Sequence, residues 1–359
     1  MSHLEERLEH DLTEIRDNIA IMGANVEQAL DNAFNALKRA NDKLAFKTIL
    51  SDLPINRHMR KIDRLCHAFI AVHLPSAGHL RLISSVIRAN IILERIGDYA
   101  VTIAREAVQL GTEPEGYMAD ELKNVSAEAT AVLSEAISAF NSSNAERARH
   151  AITMARQVEH EMDGIYASLL DCGNTEGGCG RNTMIYLIVF SQLKRVADQA
   201  KNLAEEAIFI ESGETKAPKT YRILFLDDDN SCLGPMAAAI AQKAFHEQGQ
   251  FTTSGAQPAD SLDTHMVAFM QSRSFDLGDV TPRKLENSRE ALSDFHVIVG
   301  LNLKVQKAVG QVPFRTSALN WKKLEAPTGD DTEAWESLYK NLALHIRELM
   351  TLLRGNENE

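Results

Sequence analysis

One segment occurs twice in this chain. Its first copy is Leu93-Glu94-Arg95-Ile96-Gly97-Asp98-Tyr99-Ala100-Val101-Thr102-Ile103-Ala104, and its second copy, about one hundred residues later, is Leu193-Lys194-Arg195-Val196-Ala197-Asp198-Gln199-Ala200-Lys201-Asn202-Leu203-Ala204. The Leu, the Arg, the Asp and two Ala keep their places. An internal repeat constrains the architecture before any local feature does. The duplication therefore predicts two copies of one helical unit, at about residues 3–111 and 117–212.

The first 212 residues have the periodicity of helices. Apolar residues recur every three or four positions from Leu4 to Leu37, which is typical of one long amphipathic helix. Turn-forming residues interrupt this pattern near Asn41 and at 74–78, 111–116 and 172–180, the last a Gly-rich helix connection. We expect six helices in a tandem pair of three-helix bundles, each of which can bury its own seam.

The pattern changes after a polar linker at 213–219. Short apolar runs at 221–226, 251–254 and 295–299 are candidate strands, and they alternate with candidate helices at 235–249, 266–272 and 335–354. Such alternation indicates a parallel sheet flanked by helices. The sequence therefore predicts a small α/β domain at 220–354 with a parallel four-stranded sheet, followed by a tail at 355–359.

Bulk composition narrows the possible functions. The formal charge of −12 argues against nucleic-acid binding, which needs a basic surface. No apolar run approaches the roughly 20 residues of a membrane span, so we expect no membrane insertion. The N-terminus has no signal-peptide pattern, and four cysteines do not form a disulfide framework in a chain of 359 residues. We expect a cytoplasmic protein.

Acid pairs mark the helical half. Residues four apart share one helix face, and the pairs with this spacing are Asp52 with Asn56, Glu94 with Asp98, Glu159 with Asp163, and Asp198 with Asn202. Like charges at this spacing cost a few tenths of a kcal/mol, which a cation would offset. Arg95, Arg195 or a metal ion are candidates, and solvated helix faces are the alternative. Carboxylates with an amide suit hard ions, iron or manganese.

The first copy also resembles a known family. The residues that carry the resemblance are Asp52-Leu53-Pro54-Ile55-Asn56, Ile62, Cys66, Leu74-Pro75, Leu80-Arg81 and Leu93 to Ala100, and they are similar to the phosphate-uptake regulator family, PhoU. The resemblance covers residues 3–212. It implies tandem three-helix bundles that hold iron or another divalent metal (zinc, manganese or magnesium) on acidic motifs. It also implies a homodimer that negatively regulates phosphate uptake through a phosphate ABC transporter and a sensor kinase.

The two copies differ at the metal motif. Glu94 and Asp98 match it in the first copy, whereas Lys194 stands where the second copy needs an acid. A lysine beside Asp198 neutralises it without a metal. The sequence thus predicts one acidic site, and a second only if Glu159 and Asp163 supply ligands.

The C-terminal half has its own resemblance, to low-molecular-weight protein tyrosine phosphatases and arsenate reductases over about 220–354. Ile223 to Leu226 followed by Asn230 to Ala237 carries it. That family needs a Cys nucleophile, a cradle of backbone N–H groups and an Arg. The corresponding loop here is degenerate, and its residues are Asp227, Asp228, Asp229, Asn230, Cys232, Leu233 and Gly234. Asp227 replaces the Cys and Leu233 replaces the Arg, so we expect no phosphatase catalysis.

Other interpretations of the C-terminal half stay open. The Asp triplet resembles the magnesium pocket of receiver domains, but the strand at 295–299 lacks the acid that a receiver domain needs. A metal-dependent phosphatase or arsenate-processing enzyme is the alternative function, and a structural adaptor is a third. We favour a non-enzymatic regulator of phosphate homeostasis without an organic cofactor, whose degenerate domain binds a ligand or partner.

Overall fold

The chain divides into two compact units, Met1–Lys216 and Ala217–Glu359, in a computed structural model that describes residues 3–173, 180–215, 220–321 and 324–354. The first unit consists of helices. They are α1 (His3–Lys38), α2 (Asp42–Leu50), α3 (Asp52–Val72), α4 (Ala77–Leu110), α5 (Gly116–Asn141), α6 (Ala145–Gly173) and α7 (Arg181–Ser212). None of the helices within the described ranges has both the length and the apolarity of a membrane span.

The first bundle contains one helix more than the sequence predicted. The expected second helix is divided into α2 and α3 at Ser51, whose hydroxyl donates to the Thr48 carbonyl at 2.6 Å. Pro54 explains the division, because a proline has no N–H to donate and its ring clashes with the carbonyl four residues earlier, that of Leu50. The division places Asp52 at the first position of α3.

The two bundles share one apolar core. Residues from all seven helices α1–α7 form a single cluster of buried side chains, in which α4 packs against α7. The predicted tandem pair of bundles is confirmed, and the contact of α4 with α7 joins the cores of the two bundles. Small residues on the repeated segments, such as Ala100, Ala104, Ala200 and Ala204, are fully buried and let α4 and α7 approach each other.

The second unit is a parallel sheet with helices. Its elements are β1 (Tyr221–Asp227), α8 (Leu233–Phe245), β2 (Gly249–Gly255), α9 (Thr264–Ser272), α10 (Arg289–Ser293), β3 (Val297–Gly300), α11 (Val305–Val309), β4 (Ser317–Asn320) and α12 (Thr332–Arg354). The four strands run parallel in the order β2-β1-β3-β4. The predicted four-stranded parallel sheet is confirmed, although the sequence patterns did not locate β4.

The strand order places the switch point of the sheet at β1. The chain leaves β1 toward β2 on one side and later returns to pair β3 on the other side. Ligands of open parallel sheets bind beside the carboxyl ends of strands at such a switch point. Asp227 is the last residue of β1 and lies at this position.

Candidate functional site

The acidic residues of the first repeat converge in the structure. Asp52 and Asn56 lie on the first turns of α3, and Glu94 and Asp98 lie in the middle of α4. The Asn56 amide donates to Asp52 Oδ1 at 3.0 Å, and the Asp52 carboxyl lies close enough to that of Asp98 to raise its pKa. We call these four residues the acidic cluster. Its members are the four first-repeat residues selected from the sequence.

A close helix contact positions the acidic cluster. Gly97 lies between Glu94 and Asp98 and is buried on α4, opposite Ile55 of α3. A Cβ added at Gly97 would lie 3.3 Å from Ile55 Cδ1, which is a tight contact. The glycine of the repeated segment therefore allows α3 to pack close to α4, which brings the two acid pairs together.

The carboxylates of the acidic cluster repel one another. The pKa of Glu94 is raised by partial burial and then by the charges of Asp98 and Asp52, while Arg95 opposes this. The pKa of Asp98 is raised by burial and by the charge and hydrogen bond of Asp52, while Arg105 opposes this. The nearby arginines therefore do not fully balance the acids, and the cluster favours a proton or another cation.

The acidic cluster fits a metal by its chemistry, not by a preformed cage. Across the described residues, no group of three or more His, Cys, Asp or Glu side chains is arranged to hold a metal ion as it stands. The donors of the cluster are three carboxylates and an amide, a set that suits magnesium, manganese or iron.

The second repeat has a different arrangement. Lys194 donates to Asp198 Oδ2 at 2.8 Å, so the acid of the second repeat carries its own cation. Arg195 lies over the Tyr99 ring at 5.8 Å, and Asn202 is half-buried on α7. Glu159 lies on α6 with Asp163, but the side chain of Asp163 is outside the described part of the chain.

An acidic cavity lies within the second repeat. It measures about 560 Å³, lies between α5 and α6, and is lined by Glu121, Glu128 and Glu161, with Tyr117 and Asn124 beside them. Burial and the neighbouring Glu161 raise the pKa of Glu128 to about 7. Glu128 and Glu161 are far apart in sequence and lie on different helices, so the spacing of residues along one helix could not predict their contact.

The phosphatase-like loop holds a buried carboxylate. Asp227 is only 1% exposed, and its Oδ1 accepts the Asn230 N–H at 3.0 Å while its Oδ2 accepts the Gly234 N–H at 2.9 Å. Burial raises the pKa of Asp227 to about 6, because desolvation outweighs these hydrogen bonds. Asp228 and Asp229 are exposed, so only one member of the triplet lies inside the loop.

The other loop residues support this arrangement. Asn230 has a positive φ of 55°, its amide donates to Thr253, and its Oδ1 accepts the Arg283 N–H at 2.9 Å. Leu233 and Cys232 belong to the apolar core of the unit. The pKa of the Cys232 thiol is raised above its usual range by burial and then by Asp263. A thiol with a raised pKa is a poor nucleophile, and Cys232 packs as a small apolar residue.

Known proteins that resemble the helical unit differ from those that resemble the C-terminal unit. The PhoU domain model matches residues 19–107 and 122–207. A phosphate-specific transport system accessory protein PhoU homolog from Pseudomonas aeruginosa is 30% identical over 214 residues, which are 59% of this chain and 88% of the relative. The crystal structure of PhoU from Pseudomonas aeruginosa is 30% identical, with a TM-score of 0.55, and covers 57% of this chain and 99% of that one.

The C-terminal unit has a weaker match. A solved arsenate reductase in the phosphate binding state is 18% identical, with a TM-score of 0.32, over 37% of this chain and 98% of that one. A similarity of this size carries no conclusion about chemistry.

Proposed function

The chain belongs to the PhoU family through its helical half, and on this premise we propose that it is a regulator of phosphate transport. Family membership supports an accessory role beside a phosphate transport system, because the matched relatives are described as accessory proteins of such a system. The finer proposal is a metal-binding negative regulator that acts in the cytoplasm.

The position of the acidic cluster carries this proposal. Asp52, Asn56, Glu94 and Asp98 all lie within the matched segment 19–107, and they come from two helices that a buried glycine brings together. A cluster whose members raise each other's pKa is maintained at a cost in stability. Such a cost is typical of a binding site rather than of a surface selected for stability.

We propose iron or another divalent metal as the occupant of the acidic cluster, with zinc, manganese and magnesium as alternatives. The bound ion would supply positive charge that links α3 to α4. Asp52, Glu94 and Asp98 would hold it through carboxylate oxygens, and Asn56 would either add an amide oxygen or keep Asp52 oriented. We propose that this link between the two helices is regulatory.

We propose that the second repeat holds no equivalent ion. Lys194 already provides a cation at 2.8 Å from Asp198, and a metal at this position would have to displace an ion pair. The second repeat then has a structural role, through the packing of α7 against α4, and the first repeat binds the metal. This division of roles explains why one copy can lose an acid.

We propose further that the C-terminal unit is not an enzyme. Asp227 occupies the nucleophile position as a buried carboxylate, and Leu233 contributes to the apolar core instead of binding phosphate. We expect no release of phosphate from p-nitrophenyl phosphate by the full chain. Turnover that disappears in Asp227→Ala would contradict this proposal and would favour the phosphatase or arsenate-processing alternative.

The expected partners follow from the family. We propose a phosphate ABC transporter and a sensor kinase as partners, and a homodimer as the assembly. The test is a reporter of phosphate starvation in a host that lacks its own copy of the protein. Expression of the wild-type chain should restore repression at high phosphate, Glu94→Ala with Asp98→Ala should not, and Asp198→Ala should. Equal repression by all three would refute a role for the acidic cluster.

A further inference from the structure

We propose that the loop after β1 is an oxyanion cradle that the chain keeps filled with its own Asp227 carboxylate. External phosphate is therefore excluded, and a small neutral residue at position 227 would open the cradle to a free oxyanion. The inference rests on the proposal above that the loop has lost phosphatase chemistry. It concerns binding, which that proposal left open.

The first observation is where the carboxylate lies. Asp227 ends β1 at the switch point of the sheet, where open parallel sheets bind their ligands. Its side chain turns inward and is 1% exposed, whereas Asp228 and Asp229 face solvent. A carboxylate seldom lies buried unless the protein supplies polar partners for it.

The second observation is what holds the carboxylate. Each of its oxygens accepts one backbone N–H, from Asn230 at 3.0 Å and from Gly234 at 2.9 Å. Gly234 lies in the first turn of α8, a helix of 13 residues, where backbone N–H groups have no partner inside the helix and the dipole attracts anions. The Gly234 N–H is a donor of the kind that binds an external oxyanion at a helix N-terminus, and the Asn230 N–H adds a second donor from the preceding loop.

The third observation is that backbone contacts outside the carboxylate hold the loop. The carbonyl groups of residues 227, 228, 229 and 231 accept N–H groups from residues 256–263, at distances of 2.8 to 3.1 Å. Asn230 is fixed by Thr253 and by the Arg283 N–H. Because none of these bonds involves the Asp227 side chain, we expect the cradle to keep its shape when the carboxylate is removed.

The fourth observation is that Gly234 makes room for this packing. A Cβ at position 234 would lie 2.2 Å from Thr253 Oγ1 and 3.2 Å from Asp227 Oδ1. The residue therefore has to be glycine for the loop, the carboxylate and β2 to pack as they do. Gly234 and Asp227 therefore depend on each other: the glycine leaves room for the carboxylate, and the carboxylate accepts the glycine N–H.

The consequence is functional. A cradle that is permanently filled does not report the phosphate concentration. The loop after β1 therefore gives the chain no response to phosphate.

The test compares the full chain with Asp227→Ala by thermal unfolding in added sodium phosphate or sodium formate, with sodium chloride at equal ionic strength as the reference. Formate has the size of the removed carboxylate. We expect no stabilisation of the wild type beyond chloride, and a rise of several degrees in the unfolding midpoint of Asp227→Ala with formate or phosphate. Asp228→Ala, which removes an exposed carboxylate next to it, should behave as the wild type.

Two outcomes would overturn the inference. One is an Asp227→Ala protein that responds to both anions only as it responds to chloride. The other is a wild-type protein that binds phosphate and loses this binding in Asp227→Ala. If the variant does not fold, the wild-type amide resonances of Asn230 and Gly234 provide the test. Because both N–H groups donate to the Asp227 carboxyl, the two resonances should shift with the same pH midpoint. Independent shifts, or no shifts, would refute the inference. The p-nitrophenyl phosphate assay reports separately on the proposal that the unit is not an enzyme.

Discussion

Neutralising one acid in each repeat should change stability in opposite directions. Asp98→Asn removes a charge that Asp52 and Glu94 repel, whereas Asp198→Asn removes a charge that Lys194 attracts. The two residues hold the same position in the repeated segment, so each substitution is the control for the other. Without metal, Asp98→Asn should stabilise the helical unit and Asp198→Asn should destabilise it.

The magnitude follows from distance and exposure. Two unit charges about 4 Å apart repel by about 4 kcal/mol at an effective dielectric constant of 20. Asp98 is exposed, however, and solvent screening reduces such interactions to at most about 1 kcal/mol. We expect Asp98→Asn to gain about 0.5–1 kcal/mol, or about 1–4 °C in the midpoint of a unit of this size. Asp198→Asn should lose about 0.3–0.5 kcal/mol with its ion pair.

The assay is thermal unfolding at pH 8 and low salt, first with EDTA and then with manganese in excess. A ligand at 100 times its dissociation constant stabilises the folded state by about 2.7 kcal/mol. Manganese should therefore raise the midpoints of the wild type and of Asp198→Asn, but not that of Asp98→Asn. A lower midpoint of Asp98→Asn in EDTA, or the same response of all three proteins to manganese, would refute the reasoning.

Two further predictions concern other parts of the chain. The pKa of Glu128 is about 7 in the folded protein and ordinarily about 4.5, so the stability it contributes is complete below pH 4.5 and is lost as pH rises through 7. Glu128→Gln should therefore have a higher urea midpoint than the wild type at pH 8 and an equal one at pH 4. Glu121→Gln, in the same cavity, is the control and should match the wild type at both pH values. Equal urea midpoints of Glu128→Gln and the wild type at pH 8 would contradict the raised pKa of Glu128. Gly234→Ala should destabilise the C-terminal unit by about 1–3 kcal/mol, because the added Cβ would overlap Thr253. Gly164→Ala is the control: the added Cβ on α6 would meet open space, so the substitution should stabilise the helical unit by about 0.5–1 kcal/mol. Urea unfolding of both variants checks this, and a neutral Gly234→Ala would show that the loop is loosely packed.

Periodic features of the sequence predicted the architecture well. The apolar repeat of three and four residues indicated the helices, and strand–helix alternation indicated the parallel sheet. Features without a period were missed. Pro54 is a local signal for the division between α2 and α3, but its effect depends on the carbonyl four residues earlier. Strand β4 is four residues long with mixed polarity, and it is recognised only through its pairing with β3.

The candidate site was predictable where its residues share a helix. The spacing of Glu94 and Asp98, and of Asp52 and Asn56, placed each pair on one face, and the structure brought the two faces together. The contact of Lys194 with Asp198 also followed from a four-residue spacing. By contrast, Glu128 and Glu161 meet only through the packing of α5 on α6, and the inward turn of Asp227 depends on a loop whose conformation the sequence did not specify.

The central claim is that the first repeat alone holds a metal. Metal content by plasma mass spectrometry tests it most directly, on the full chain purified without chelator. We predict a bound divalent metal in the wild type and in Asp198→Ala, and its loss in Glu94→Ala combined with Asp98→Ala. A wild type without metal, or a metal content that the double substitution leaves unchanged, would contradict the account.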